Sequence, residues 1–381
     1  MKRILQVLPA LDAGGVERTT LEIAEALVRV GAGALVASQG GRLEPELART
    51  GAEHAVVPLA SKNPLVIHAN AGRLAALARA RGVALIHARS RAPAWSALWA
   101  ARRLTLPFVT TYHGIYNAKT PWKRAYNAVM AKGDFVIANS HYTRAHVIAV
   151  HGLASERVIA IPRGVDLGRF NPEAVTPERV AALRVAWGLP AEPGLVLLLA
   201  ARLTRWKGQA LAIAALARVL AARPGAATLV LAGDSQGRSA YVQELETHIA
   251  AAALGARVRI VGHVEDVPAA LSAADVALAP SLEPEAFGRA AIEAQAMARP
   301  VIAAAHGGLA ETTIDDETGH LTPPGDVAAL AHAVERMIDL GPEGRAAMGA
   351  RARARTQSLY AVETLQKETL RVYERLIGVL A

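Results

Sequence analysis

The chain has 381 residues, of which 52% are hydrophobic and 20% charged, with no cysteine and a net charge of +9. That length predicts two domains, and the composition excludes a disordered chain, which would need low hydrophobicity and a large charge excess. Without cysteine, neither disulfides nor thiolate metal sites can hold the fold, which suits a cytosolic protein better than a secreted one.

Met1–Val7 resembles the start of a signal peptide, but Pro9, Asp12 and a Gly-Gly pair interrupt it before an apolar region of sufficient length. Ile4–Leu8 predicts a strand, followed by a glycine loop and an amphipathic helix from about Val16 to Val30. Further strands are predicted at Ala34–Ala37, Ala84–His87, Phe108–Thr111, Phe135–Ala138 and Val158–Ile161, with helical patterns between most of them. A Pro-punctuated stretch from Pro162 to Pro193 follows, which predicts a connection between domains with a hinge near residue 165. A second series then begins at Leu195–Ala200 and continues at Thr228–Ala232, Val258–Val261, Val276–Ala279 and Val301–Ala304. Helices are expected over 326–339, 342–358 and 361–380. Alternating strands and helices predict α/β domains with parallel sheets: residues 1–165, residues 166–358, and a terminal helical segment 359–381 packing back on the first domain. The purest apolar run, Leu195 to Ala201, is seven residues long, whereas a membrane-spanning helix needs about 20. A soluble or peripheral cytoplasmic protein is therefore expected.

Charge is unevenly spread. Residues 1–165 hold 21 Lys/Arg against 9 Asp/Glu, and no acidic residue lies between Glu53 and Asp134, where twelve basic ones do. Arginine-rich usage on solvated helices would produce this pattern. So would a first half that faces an anionic membrane, an acidic glycan or a nucleic acid.

Asp12-Ala13-Gly14-Gly15-Val16-Glu17 joins the first strand to the first helix, where glycines permit close approach and free helix N–H groups favour phosphate. It matches neither a dinucleotide fingerprint nor a Walker loop, and such turns are also common as plain structure. Arg202-Leu203-Thr204-Arg205-Trp206-Lys207-Gly208 follows the first strand of the second series. Two cations there, Arg202 and Lys207, could hold a diphosphate or could simply be solvated charges at a helix start. Glu285-Ala286-Phe287-Gly288-Arg289-Ala290-Ala291-Ile292-Glu293 is the most specific feature. Eight helical steps span roughly 12 Å, so one carboxylate at each end could reach a different sugar ring, with the helix start at Phe287–Arg289 facing phosphates between them. His113 sits at a strand end before a glycine, and His306-Gly307-Gly308-Leu309-Ala310-Glu311 follows a later strand. Asp315-Asp316-Glu317 reads as a surface turn, and no motif has metal-ligand spacing, so no metal site is expected.

In order, these motifs resemble glycosyltransferase family 4, the retaining GT-B group, over essentially the whole chain. The Gly-Gly-x-Glu opening, Tyr112-His113-Gly114, the Ile161–Asp166 segment, Arg202 to Gly208, Pro280-Ser281 with the two glutamates, and the Gly-Gly-x-x-Glu turn all fall in register. The segments around His87–Pro93 and Pro284–Arg289 resemble the envelope-polysaccharide and lipopolysaccharide-core branch. The resemblance implies two Rossmann-like domains with parallel sheets facing across a cleft, and hexosyl transfer from a nucleotide sugar to a glycan or lipid-linked acceptor. It implies no cofactor, since the nucleotide sugar is a substrate. Gly14 and Gly15 would lie against the donor phosphates and His113 beside the transferred sugar. Arg202 and Lys207 would neutralise the leaving diphosphate. Glu285 would bind sugar hydroxyls, Phe287, Gly288 and Arg289 would line the donor, Glu293 would hold the ribose, and the base would rest near Gly262, His263 and Val264. Arg163 departs from the family, which commonly has Asn there. The basic first half is expected to meet an anionic membrane surface and no nucleic acid. Competing readings are a nucleotide-sugar epimerase of the same fold, which would not call for an extended basic acceptor surface, and a non-catalytic basic membrane- or nucleic-acid-binding protein, which would not need Glu285, Arg202 and Lys207 together.

Overall fold

The computed structural model describes residues 1–12, 14–116 and 120–381. The chain divides into two compact units, Met1–Gly164 with Val362–Ala381, and Val165–Ala361. The first unit is built on β1 (Arg3–Val7), β2 (Gly33–Ser38), β3 (Glu53–Val56), β4 (Val83–Ala88), β5 (Phe108–Tyr112), β6 (Phe135–Ala138) and β7 (Val158–Ala160). Their spatial order is β3-β2-β1-β4-β5-β6-β7, all parallel. Leu5 of β1 lies opposite Leu35 on one side and Ile86 on the other. Helices cover both faces of such a sheet, so its strands read as continuous apolar runs. Helix Gly15–Arg29 turns Leu21, Ile23, Ala24 and Leu27 inward, where they share one core with Ile4, Leu85, Leu365, Val372 and Tyr373. The last three belong to helix Val362–Ile377, which thus completes the first unit from the far end of the chain. Each buried leucine or valine there contributes about 1.5–3 kcal/mol.

The second unit carries β8 (Leu195–Ala200), β9 (Ala227–Ala232), β10 (Val258–Gly262), β11 (Val276–Ala279), β12 (Val301–Ala304) and β13 (Gly319–Thr322) in the order β10-β9-β8-β11-β12-β13. In both sheets the order reverses beside the first strand of the series, the switch point where open α/β sheets bind ligands at strand carboxyl ends.

Two strands lie outside the sequence reading. β3 (Glu-His-Ala-Val) and β13 (Gly-His-Leu-Thr) are edge strands, so one flank needs no partner and their residues need not be uniformly apolar. The Pro-rich stretch also proves to be more than a connection. Phe170 and Trp187 are buried in the second unit's core, and helix Pro177–Ala186 begins on a proline with the Thr176 hydroxyl capping Arg179 N–H. Proline at the first helical position starts a helix, because its missing N–H would be unpaired there anyway. Among the described residues no helix is long and apolar enough to cross a membrane.

Candidate active site

In the second unit, the loop after β8 meets the loop after β11. Gly208 has φ 80°, and a Cβ there would lie 2.2 Å from the Pro280 carbonyl oxygen, so only glycine allows the approach. That contact brings Lys207 Nζ to 2.7 Å from Glu285 Oε1. The Ser281 hydroxyl donates to the same oxygen, and Lys207 Nζ also stands 4.3 Å from the centre of the Trp206 ring. The Lys207 and Glu285 side chains are 15% and 14% exposed, sheltered enough to interact strongly yet still reachable. Both contacts to Glu285 fall on Oε1, which leaves Oε2 as an acceptor. Arg202 is exposed, and its side chain pairs with no described residue.

The Glu285 loop is buttressed from beneath by His306-Gly307-Gly308. Gly308 N–H donates to the Glu285 carbonyl at 2.7 Å, and His306 Nε2 lies 2.8 Å from the Ser281 carbonyl. A Cβ on Gly308 would sit 2.3 Å from Phe287 Cα, so these glycines are what lets one loop lie on the other. Phe287 is 3% exposed and packs edge-on against Tyr360 at 5.7 Å; its side chain is a core anchor. Gly288, at φ 92°, then caps helix Arg289–Ala296. The helix therefore begins four residues after Glu285, and the 12 Å helical spacing expected between the two glutamates does not apply, because residues 285–288 are loop. Glu293 Oε1 accepts from Arg289 Nε and Nη2 at 3.2 and 3.1 Å. At the end of β10, Gly262 takes φ 71° and its carbonyl accepts from Gly233 N–H at 2.7 Å. The exposed His263 and half-buried Val264 line a cavity of about 500 Å³ together with Trp187, Arg259 and Asp266.

Asp315, Asp316 and His320 place ligand-type atoms within 4.8 Å of one another. The guanidinium of Arg336 already donates to Asp316 at 2.6 Å, so a protein cation sits in that acidic turn.

The first unit holds a second cluster at the carboxyl ends of β1, β4 and β5. His87 is fully buried, with Nδ1 2.6 Å from the Tyr373 hydroxyl and Nε2 2.7 Å from that of Thr111. Arg89, 2% exposed, donates to the Gln6 side-chain oxygen. His113 Nδ1 lies 3.0 Å from Arg163 Nη2, and Asn139 donates to the His113 carbonyl at 3.2 Å. Burial, then the charges of Arg163 and Arg89, hold the His113 ring well below the ordinary histidine range. The other terminal nitrogen of Arg163 donates to the Gly15 carbonyl at 2.5 Å. Gly14 has φ 143°, a conformation open to glycine, and Gly15 leaves room for that guanidinium. Arg163, Gln6, Arg89, His87 and Ser281 join these candidate clusters without a role assigned from the sequence; the oddity of Arg at position 163 signalled the first.

Residues 13–169 match the family described as Glycosyltransferase Family 4, and residues 184–355 match Glycosyl transferases group 1. A D-inositol 3-phosphate glycosyltransferase of Xylanimonas cellulosilytica is 31% identical, the match covering 90% of this chain and 88% of that protein. The chain belongs to glycosyltransferase family 4. This family 4 glycosyltransferase is similar in structure to a glycosyltransferase of Rickettsia africae, with 32% identity, 98% of each chain covered and a TM-score of 0.90. It is also similar to Anabaena Alr3699/HepE, solved in complex with UDP, with 27% identity, 98% of this chain and 100% of that one covered and a TM-score of 0.84. Its two parallel-sheet units are those of the GT-B architecture.

Proposed function

We propose that this glycosyltransferase moves a hexosyl-type sugar from a nucleoside diphosphate sugar to a glycan or lipid-linked acceptor in envelope polysaccharide or lipopolysaccharide synthesis, with retention and without a metal ion. The observation that carries the reading is the Lys207–Glu285–Ser281 cluster at the carboxyl ends of β8 and β11, beside the start of helix Arg289–Ala296. Anabaena Alr3699/HepE has also been solved with UDP-glucose, which supports a nucleotide-sugar donor.

Breaking the bond between a sugar and a diphosphate leaves positive charge on the ring and negative charge on the leaving group. Lys207 keeps two of its three N–H donors after serving Glu285, and the exposed Arg202 adds a planar fork. The first helical N–H groups of Arg289–Ala296 lack helical partners and favour an anion. Preorganised donors of this kind are worth several kcal/mol to a developing anion and take the place of a metal. Oε2 of Glu285 and Oε2 of Glu293 are the acceptors for sugar and ribose hydroxyls. Gly262 to Val264 offer main chain to the base, and His113 with Gly14 and Gly15 serve the sugar and phosphates. The helix Pro121–Asn127, with Trp122, Lys123 and Arg124 exposed, supports peripheral attachment to an anionic membrane at the cytoplasmic face.

A second acceptor chemistry, a small phosphorylated polyol, is favoured by the name of the Xylanimonas relative. A panel of nucleotide sugars, each with both acceptor types, tests the reading through nucleoside diphosphate release and the anomeric configuration of the product. Release that persists after exhaustive EDTA treatment, and falls by about two orders of magnitude or more in Glu285→Ala or Lys207→Ala, is the expected result. Inverted product, a strict need for added manganese, or near-normal turnover in either variant would defeat the corresponding part.

A further inference from the structure

Arg163 reaches partners in two different segments. Its Nη1 donates to the Gly15 carbonyl at 2.5 Å and lies 3.3 Å from the Thr19 hydroxyl, while its Nη2 lies 3.0 Å from His113 Nδ1. A guanidinium only donates, so His113 Nδ1 must accept and cannot carry the proton of the neutral ring. The proton therefore resides on Nε2, and that atom is buried with no partner among the described residues. A buried, unanswered donor is costly unless something binds it, because its desolvation is uncompensated. The same guanidinium fills the space beside Gly15, where a Cβ would stand 2.4 Å from Nη1.

We propose that Arg163 is a positioning residue, which fixes His113 as the Nε2–H tautomer and ties that ring to the first turn of helix Gly15–Arg29, so that Nε2–H is presented as a neutral donor to an oxygen of the substrate. The ring's surroundings agree with this. The guanidiniums of Arg163 and Arg89 oppose its protonation, the neighbouring His87 is itself held neutral by burial and by Arg89, and the Tyr116 hydroxyl, pushed up by burial, is hydrogen-bonded to the His113 backbone. Such a ring keeps one tautomer across the pH range in which a free imidazole would charge. One guanidinium thus couples a hydrogen-bond donor in one loop to the glycine turn in another.

The inference rests on the transferase reading for its consequence, while its physical core can be read on the unliganded full chain. Nitrogen-15 NMR of the histidine rings should show His113 of the wild type as Nε2–H alone, with no protonation as the pH is lowered through the ordinary histidine range. Arg163→Met should give a mixture of tautomers and a ring that titrates higher, and should lower turnover about tenfold, the cost of one misoriented hydrogen bond. Added guanidinium should restore part of the loss in Arg163→Ala. Gly15→Ala provides an independent arm: its methyl displaces the flexible guanidinium tip rather than backbone, and should shift the His113 signals in a chain that still folds. Unchanged ring nitrogens in folded Arg163→Met or Gly15→Ala would overturn the assignment, as would altered nitrogens with undiminished turnover. Absence of turnover with any nucleotide sugar in the wild type would instead defeat the transferase reading, leaving the ring result to stand by itself.

Discussion

His87 is a histidine buried as completely as the leucines around it, and both its ring nitrogens are taken by hydroxyls. Burial first, and the Arg89 charge second, hold it well below the ordinary histidine range, and Tyr373 beside it is pushed up to about 12 by burial. The sign of the consequence follows from proton counting. In the unfolded chain these imidazoles bind a proton below about pH 6.5, whereas in the folded chain His87 and His113 do not. Stability is therefore complete above that pH and is lost as the pH falls below it. Carboxylates held low by ion pairs, such as Asp316 with Arg336 and Asp339 with Arg223, act only in more acid solution. Thermal melts between pH 8 and pH 5 should show a flat plateau and then a falling Tm from about pH 6.5, at constant ionic strength. A Tm that stays level to pH 5 would mean that these rings are not held neutral. At this scale the sequence singled out candidate residues by type and position but not the partners those side chains would meet. Lys207 and Glu285 stand out as motif residues, yet their pairing depends on how closely Gly208 approaches Pro280, which is a property of two loops 72 residues apart. The Arg163–Gly15 bond joins residues separated by 148 positions, and no local pattern announces it.

Helix Pro121–Asn127 is the element whose surroundings ask most plainly for a partner. Thr120 caps it by accepting from Lys123 N–H, Trp122 is 86% exposed, and Lys123 and Arg124 are exposed beside it. Tyr126 is half-buried, its carbonyl receiving the Trp95 indole N–H at 3.1 Å, so the helix is pinned on one side and bare on the other. Lys119, two residues before this helix, lies outside the described residues. An indole seats at lipid headgroups, and each nearby cation adds about 1 kcal/mol against an anionic surface. Flotation with anionic liposomes at low salt should recover the wild type, with recovery dropping as salt screens the charges; Lys123/Arg124→Glu should stay at the bottom of the gradient. Equal recovery of both proteins would assign the basic stretch to the acceptor or to solubility. Elements were the most legible scale, because central parallel strands announce themselves as short apolar runs between turns. β3 and β13 escaped for the same reason in reverse: an edge position demands little apolar surface, so Glu53 and His320 can stand in a strand. Phe170 and Trp187 were hidden by the prolines around them, which mark helix starts here as much as they mark a connection.

For the whole molecule, the division of the chain was partly legible: two series of strands give two sheets, while the return of residues 362–381 to the first unit is carried by the apolar face of one helix. That return sets an order of events during synthesis. The first sheet leaves the ribosome long before Leu365, Val372 and Tyr373 exist to cover Ile4, Leu27 and their neighbours. Until the second unit has been made and the last helix has followed it, the early half carries an uncovered apolar strip, a state prone to association. A fragment ending at Gly164 should accordingly aggregate or bind a hydrophobic dye. The same fragment supplied with residues 362–381 as a separate peptide should become soluble and show cooperative melting. A fragment that is monomeric and melts sharply without the peptide would show that the first sheet can close without it. A nascent chain built this way keeps that strip uncovered for the time it takes to translate roughly half its length.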